Sequence, residues 1–305
     1  MKNIKISTTG LEASNIVLGC MRLKNLSVSE AEVLLRTALD EGINFFDHAD
    51  IYGDGICESI FAKALPANAD AREKILLQSK CGIRKGYFDF SKAHILEAVD
   101  GILGRLRTEY IDVLLLHRPD ALIEPEEVAE AFDVLLAAGK VRHFGVSNFN
   151  PMQIELLQKY VPVKLSVNQL QFSIAHTPMI DSGLTVNMHL KQSVHREGSI
   201  LDYCRLHDLT IQAWSPFQKG FFDGPFLGDP EYAGLNAVID RLAAKYDVTP
   251  SAVAVGWITR HPANMQVILG TTRPQRIVES CKGSTLPLTR EEWYAIYVAA
   301  GNIVP

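Results

Sequence analysis

Short apolar runs along this chain alternate with stretches in which apolar residues recur every three or four positions, as expected when strands covered on both faces alternate with amphipathic helices. The first residues differ: polar and apolar positions alternate over 2–7 and Thr9-Gly10 follows, which predicts a small hairpin outside the main sheet. The first buried strand is expected over 15–20. A capping box, Ser27 with Glu30 or Ser29 with Glu32, opens the next helix, with Val33, Leu34, Thr37 and Ala38 on its inner face and Gly42 at its end. The run 43–46 is the second strand, bounded by Gly42 and Gly53 and ending in Asp47. The same unit then recurs. Strand 75–79 ends in Lys80, and Ser91 caps a helix carrying Ile95, Val99, Ile102 and Leu106. Strand Ile111–Leu116 ends in His117, before a helix with Pro125 in its first turn and Gly139 past its end. Strands follow over Val141–Ser147 and 165–169, with Asn150-Pro151 opening the helix between them. An irregular stretch, 173–198, is too long for an ordinary connection and reads either as a lid or binding loop or as a disordered insertion. After a helix over 199–207, strand 210–215 is the seventh. Two helices, one ending near Tyr246 and one opened by Thr249-Pro250, precede the eighth strand at 267–270, and further helices start at Pro274 and Thr289.

Eight strands each followed by helix are the count at which a parallel sheet closes into a (β/α)8 TIM barrel. The expected fold is that α/β barrel, a single domain over 1–305, with an N-terminal hairpin and extra helices before the eighth strand and at the C-terminus. An open doubly wound sheet would call for a glycine fingerprint after the first strand, and Gly19-Cys20-Met21-Arg22 is not one. In a barrel the chemistry belongs at the carboxyl ends of the strands. There the sequence places Asp47, Tyr52 just beyond it, Lys80 and His117: an acid, a phenol, an amine and an imidazole on one rim. Period-two parity puts Phe45 with Asp47, Gln78 with Lys80 and Leu115 with His117, so each polar end shares a face with a barrel-filling residue.

Composition narrows the function. The 305 residues are 47% apolar and 21% charged, which suits a chain with a large core. A net charge of -5 and the lack of any Lys/Arg run argue against nucleic acid as a partner. The five cysteines are scattered and the nine histidines show no ligand spacing, so neither a disulfide framework nor a metal site is expected and the thiols suit a reducing cytoplasm. No apolar leader or membrane span is visible. The oligomeric state is open, and a monomer is compatible with everything above.

Five ordered motifs resemble the aldo-keto reductase superfamily, its bacterial soluble branch most of all. They are Asp-His-Ala-Asp-Ile-Tyr-Gly from Asp47, Ser79-Lys80, Leu-Leu-Leu-His-Arg-Pro-Asp ending at Asp120, Gly-Val-Ser-Asn-Phe ending at Phe149, and Asn168-Gln169. The resemblance spans nearly the whole chain and implies an NADPH-dependent reductase of aldehydes or ketones. Tyr52 would be the general acid, Lys80 and Asp47 its activating pair, and His117 the residue orienting the carbonyl. Ser147, Asn148 and Gln169 match residues that hold the nicotinamide carboxamide, and Trp214, beside Ser215, matches the aromatic that stacks on its ring. Thr271, Thr272 and a helix start follow the eighth strand, a natural anion site to which Arg273 or Arg276 can add a phosphate contact. By the resemblance Arg276 reads the adenosine 2′-phosphate, which favours NADPH over NADH. Gly270 and Ser280 depart from the family pattern, where lysine and asparagine are frequent.

The chemistry is coherent in itself. Hydride reduction leaves negative charge on a carbonyl oxygen, which needs a proton donor; a phenol of pKa ~10 donates more readily beside an ammonium that stabilises its anion. The loop 218–225, with glycines and aromatics, suits closure over a bound dinucleotide. Two other readings compete: a Schiff-base aldolase using Lys80, and a nucleotide-sensing regulatory subunit with little turnover.

Overall fold

The computed structural model describes residues 1–65 and 72–305. Eight parallel strands form a closed barrel: β1 Ile16–Gly19, β2 Phe45–Asp47, β3 Leu76–Cys81, β4 Ile111–Leu116, β5 Val141–Ser147, β6 Val167–Gln171, β7 Thr210–Trp214 and β8 Gln266–Leu269. Each strand pairs with its sequence neighbours, and β8 closes on β1 through Val267 opposite Ile16. This is the (β/α)8 TIM barrel that the alternation of runs predicts. Around it lie α1 Val28–Asp40, α2 Ile56–Ala64, α3 Lys92–Leu106, α4 Pro125–Ala137, α5 Pro151–Gln158, α6 Pro178–Leu184, α7 Ile200–Leu206, α8 Ala233–Tyr246, α9 Pro250–Thr259, α10 Pro274–Cys281 and α11 Arg290–Ala299. The extra helix before β8 and the one at the C-terminus are where the proline and capping signals put them.

Two cores result. The larger lies between strands and helices. The smaller fills the barrel: Val17, Phe45, Val113, Leu115, Val167 and Ile268 pack there with Ile4, Ile6 and Ala13 from the N-terminal hairpin. That hairpin stands outside the barrel sheet, as expected, and plugs its amino end. Burial of its two isoleucines stabilises the plug by about 3–6 kcal/mol, and Asn44 pins it through a bond from the Ser14 N–H to Oδ1 (2.8 Å).

Several local expectations shift. Of the two capping boxes, Ser27–Glu30 is the one formed. Helix α1 buries Ala31, Leu34, Leu35 and Ala38, leaving Val33 exposed and Thr37 only half-buried. A step of 100° per residue from Leu34 explains this: Leu35 stays on the inward stripe and Val33 turns off it. The sixth strand runs two residues later than its apolar run, over Val167–Gln171, although buried Ser166 just before it already donates to the Phe144 carbonyl (2.8 Å) and accepts from the Thr210 N–H (2.9 Å). The stretch 173–198 meets neither expectation for it. It forms α6 and a short turn of helix fastened to the C-terminal region: Tyr297 Oη donates to Asp181 (2.6 Å), and Gln192 Nε2 donates to Tyr297 Oη (2.9 Å) and the Ile303 carbonyl (3.1 Å). None of its residues lines the cleft described next.

Candidate active site

Lys80, next to last in β3, is wholly buried. Its Nζ donates to both Asp47 oxygens (2.8 and 2.7 Å), to the His48 carbonyl (2.8 Å) and to Tyr52 Oη (3.1 Å). Four acceptors face three protons, so the amine is held charged and oriented. Burial alone would depress its pKa, but Asp47 and Tyr52 together carry it above the usual lysine value. The carboxylate is held from behind as well. Gln78 and Gln169 each donate an amide hydrogen to Asp47 Oδ1 (2.6 and 3.1 Å) and to Gln212 Oε1 (2.8 and 2.9 Å). Gln212 donates in turn to Gln266 (2.9 Å), which donates to the Ser14 carbonyl (2.8 Å). A layer of buried amides thus crosses the barrel beneath the acid. Gln212 and Gln266 escaped the sequence reading; the signal was there, a polar residue at the inward parity of otherwise apolar strands.

Tyr52 sits on the turn after β2, where its N–H bonds the Ala49 carbonyl (3.0 Å). Burial raises its pKa, Lys80 pulls the other way, and the net direction is up. The phenol therefore rests protonated, with the Lys80 ammonium 3.1 Å from its oxygen. His117, one residue past β4, lies edge-on to Tyr52 with ring centroids 6.0 Å apart. Burial holds its pKa well below the usual imidazole value, with Lys80 and Arg118 adding to the effect. Its ring is neutral, and its buried Nδ1 has no partner among the described residues. Nε2 is left as the atom that can carry a hydrogen toward the cleft. The four residues expected at the rim are thus brought together. His48, between them in sequence, is fully buried against Phe61 and driven down to about 3 by burial, so it is a neutral core residue.

Beside this cluster Ser147, Asn148, Gln169, Trp214 and Ser215 share one wall. Trp214 Nε1 donates to Asn148 Oδ1 (3.1 Å), Asn148 Nδ2 to Ser147 Oγ (2.7 Å), and Ser147 Oγ to the Gln169 carbonyl (3.1 Å). Gln169 Oε1 accepts nothing among the described residues, which leaves a fixed acceptor for an incoming amide. Asn148 and Ser215 adopt left-handed backbone (φ 62° and 55°), a cost of order 1–3 kcal/mol each that gathers at functional sites. Loop 218–225 is tied down by Gln171 Nε2 to the Gly220 carbonyl (2.9 Å) and Ser173 Oγ to the Gln218 carbonyl (2.7 Å). Phe221 and Phe222 remain exposed at its tip, with Phe221 edge-on to Trp214 at 6.2 Å.

One cleft of about 850 Å³ runs from the Tyr52 cluster past Trp214 to Thr271, Thr272 and Arg276. At that far end α10 starts with Pro274, which has no N–H, and has no side-chain cap; the Arg276 N–H bonds the Arg273 carbonyl (3.0 Å), so of its first turn the Gln275 N–H is left for an anion. Arg276 is exposed, and Gly270 and Ser280 line the same end. Glu279 lies there too, and Arg118 lines the cleft near Tyr52; both went unremarked in the sequence, although Arg118 directly follows His117. A cleft of this length with an uncapped helix start, an arginine unpaired among the described residues and an amide acceptor beside an indole fits an extended dinucleotide. Among the described residues no group of His, Cys, Asp or Glu could hold a metal ion, all five cysteines are free and buried, and no helix is long and apolar enough to cross a membrane.

The sequence profile described as "Aldo/keto reductase family" matches residues 15–299. An uncharacterized oxidoreductase, YcsN, of Bacillus subtilis is 35% identical over 303 residues, covering 95% of each chain. A 6-dehydroglucose reductase of Agrobacterium fabrum is 32% identical, covering 98% of each. The solved structure of a thermostable aldo-keto reductase, Tm1743, bound to the inhibitor epalrestat superposes with a TM-score of 0.79 at 23% identity, over 98% of this chain and all (100%) of that one.

Proposed function

From the premise that the chain belongs to the aldo/keto reductase family, we propose that it reduces small aldehydes, ketones or dicarbonyls with NADPH, Tyr52 supplying the proton. Membership makes it an NAD(P)H-dependent oxidoreductase acting on carbonyl compounds. The observation that carries the finer reading is the Lys80 ammonium, 3.1 Å from Tyr52 Oη and anchored on Asp47, beside the amide-accepting wall at Gln169.

Ser147, Asn148 and Gln169 would hold the carboxamide of the cofactor, Trp214 and Ser215 its ring, and Thr271, Thr272 and Arg276 its phosphates. Bound there, NADPH supplies the hydride that the chain itself lacks. The protein's residues handle the oxygen. Tyr52 Oη and His117 Nε2 each donate a hydrogen bond to the carbonyl oxygen, polarising it. As charge builds on that oxygen the Tyr52 proton moves across, and the phenolate left behind is met by Lys80. Asp47 keeps the ammonium in place, while the glutamine layer keeps Asp47 from turning away. Neutral His117 donates without competing as an acid. Arg276, exposed at the phosphate end and without a partner among the described residues, supports NADPH over NADH.

The same geometry disfavours a Schiff-base lysine. All three Lys80 protons are engaged and its pKa is raised, so no lone pair is free to attack a carbonyl. The test is NADPH consumption against an aldehyde and ketone panel with wild type and Tyr52→Phe. Loss of the general acid should lower kcat by about 10²–10⁴-fold, while NADPH still quenches Trp214 fluorescence. Near-normal turnover by Tyr52→Phe refutes the assignment, and saturable NADPH binding without turnover of any carbonyl favours the regulatory reading.

A further inference from the structure

Arg118 is not needed by the chemistry above, and its setting is unusual for a guanidinium. It lines the cleft half-buried, one residue after His117, with its guanidinium carbon 5.5 Å from the centroid of Trp214 and 5.8 Å from that of Phe221. Among the described residues no carboxylate pairs with it. Of the acids lining the cleft, Asp47 is taken by Lys80 and Glu279 belongs to α10 after β8. Around the ring of eight strands, β4 and β8 stand four steps apart, at opposite sides of the mouth. Arg118 thus lies on the Tyr52 side of the cleft beside Trp214 of β7, whereas Thr271, Thr272 and Arg276 follow β8. The two rings lie beside it, and its N–H donors have no acceptor among the described residues. A charge partly withdrawn from water and left unpaired gains from a ligand that supplies the counter-charge, and a planar guanidinium matches carboxylate or phosphate oxygens.

We propose that Arg118 reads an anionic group, a carboxylate or a phosphate, carried by the carbonyl substrate a few bonds from the reacting carbon. The proposal rests on the reductase reading and names the substrate class for the same site. The carbonyl lies against Tyr52 and His117, and the next residue along the chain takes the charged end. Arg118 is in this sense a specificity residue that binds substrate and leaves proton transfer to Tyr52.

Two matched pairs of aldehydes test it with wild type, Arg118→Met and Arg118→Lys: 4-oxobutanoate with its methyl ester, and glyceraldehyde 3-phosphate with glyceraldehyde. Wild type should favour the charged member of at least one pair by roughly 30-fold or more in kcat/KM, chiefly through KM, the scale of a desolvated charge-assisted contact. The pair that shows it identifies carboxylate or phosphate. Arg118→Met should bring that ratio close to one, and Arg118→Lys should retain part of it because charge is kept and the planar fork is lost. Equal use of charged and uncharged members by wild type, preference for the neutral polyhydroxy aldehyde, or a ratio that survives Arg118→Met overturns the proposal and leaves the reductase standing. Failure of wild type to reduce any of the four, while it reduces other carbonyls of the wider panel, also overturns the proposal and leaves the reductase standing.

Discussion

Replacing Lys80 by methionine removes the charge but keeps much of the stem, and its consequences divide cleanly between chemistry and stability. At 3.1 Å from Tyr52 Oη, a unit charge stabilises a full phenolate by about 5 kcal/mol at an effective dielectric of 20. Asp47, on the same ammonium, offsets part of this, leaving about 3–4 kcal/mol, or about 10²–10³-fold in kcat. The fold suffers separately. Without Lys80 the Asp47 carboxylate stays buried with two amide donors, Gln78 and Gln169, in place of its counter-ion. Stranding one member of a buried pair costs about 3–5 kcal/mol, and the two amides put this case at the lower end. Urea unfolding measures the second effect, and steady-state kcat at saturating NADPH the first. Adding Asp47→Asn removes the orphaned charge, so the double variant should regain most of the lost stability while its kcat stays low. A kcat for Lys80→Met within about threefold of wild type, under 1 kcal/mol of barrier, would refute the role given to the ammonium. A double variant no more stable than Lys80→Met would refute the account of Asp47.

Other outcomes follow from single features. Arg276→Ala should raise the Kd of NADPH by roughly 30-fold or more, the scale of a hydrogen-bonded charge contact, with little change for NADH; equal effects on both would remove the reason for preferring NADPH. Asp50 is pushed up to about 6, first by burial and then by Glu58, and its Oδ1 has no partner among the described residues. The folded state therefore holds this proton more tightly than the unfolded chain, so stability should fall by about 2 kcal/mol as pH rises from about 4 to about 6 and then level off. In Asp50→Asn that part of the decline should vanish from urea midpoints measured across the range. Gly82, at φ 104°, has the Phe90 ring where a Cβ would stand, 1.9 Å away. Gly82→Ala should cost about 2 kcal/mol or more from backbone strain and overpacking together, read as a lowered urea midpoint.

Much of the architecture was legible because its signals are local. The runs ending in Asp47, Lys80 and Leu116 declare strands by length and composition, and the caps at Ser27, Asn150, Thr249 and Thr289 each bond the N3 backbone N–H that their sequence context predicts. Where local signals were ambiguous the reading slipped. Val33 reads as inward from the sequence because α1 has apolar residues on two adjacent stripes, and only contact with the barrel shows which is covered. The stretch 173–198 lacks periodicity, so nothing in it revealed that Asp181 and Gln192 would bond Tyr297, more than a hundred positions away. The amide layer was missed for a related reason: Gln212 and Gln266 look like isolated polar residues until β7 is placed between β6 and β8.

The amino-acid order alone determined that eight strands would alternate with helices and that Asp47, Tyr52, Lys80 and His117 would fall at strand ends, since both depend on hydrophobic period and on where each run stops. Only the closed barrel decided what those side chains touch. Which amides stand behind Asp47, how burial outweighs Lys80 in setting the Tyr52 proton, and why Arg118 has no carboxylate partner among the described residues all arise when distant strands become neighbours and exclude water, and none of these can be computed from spacing along the chain.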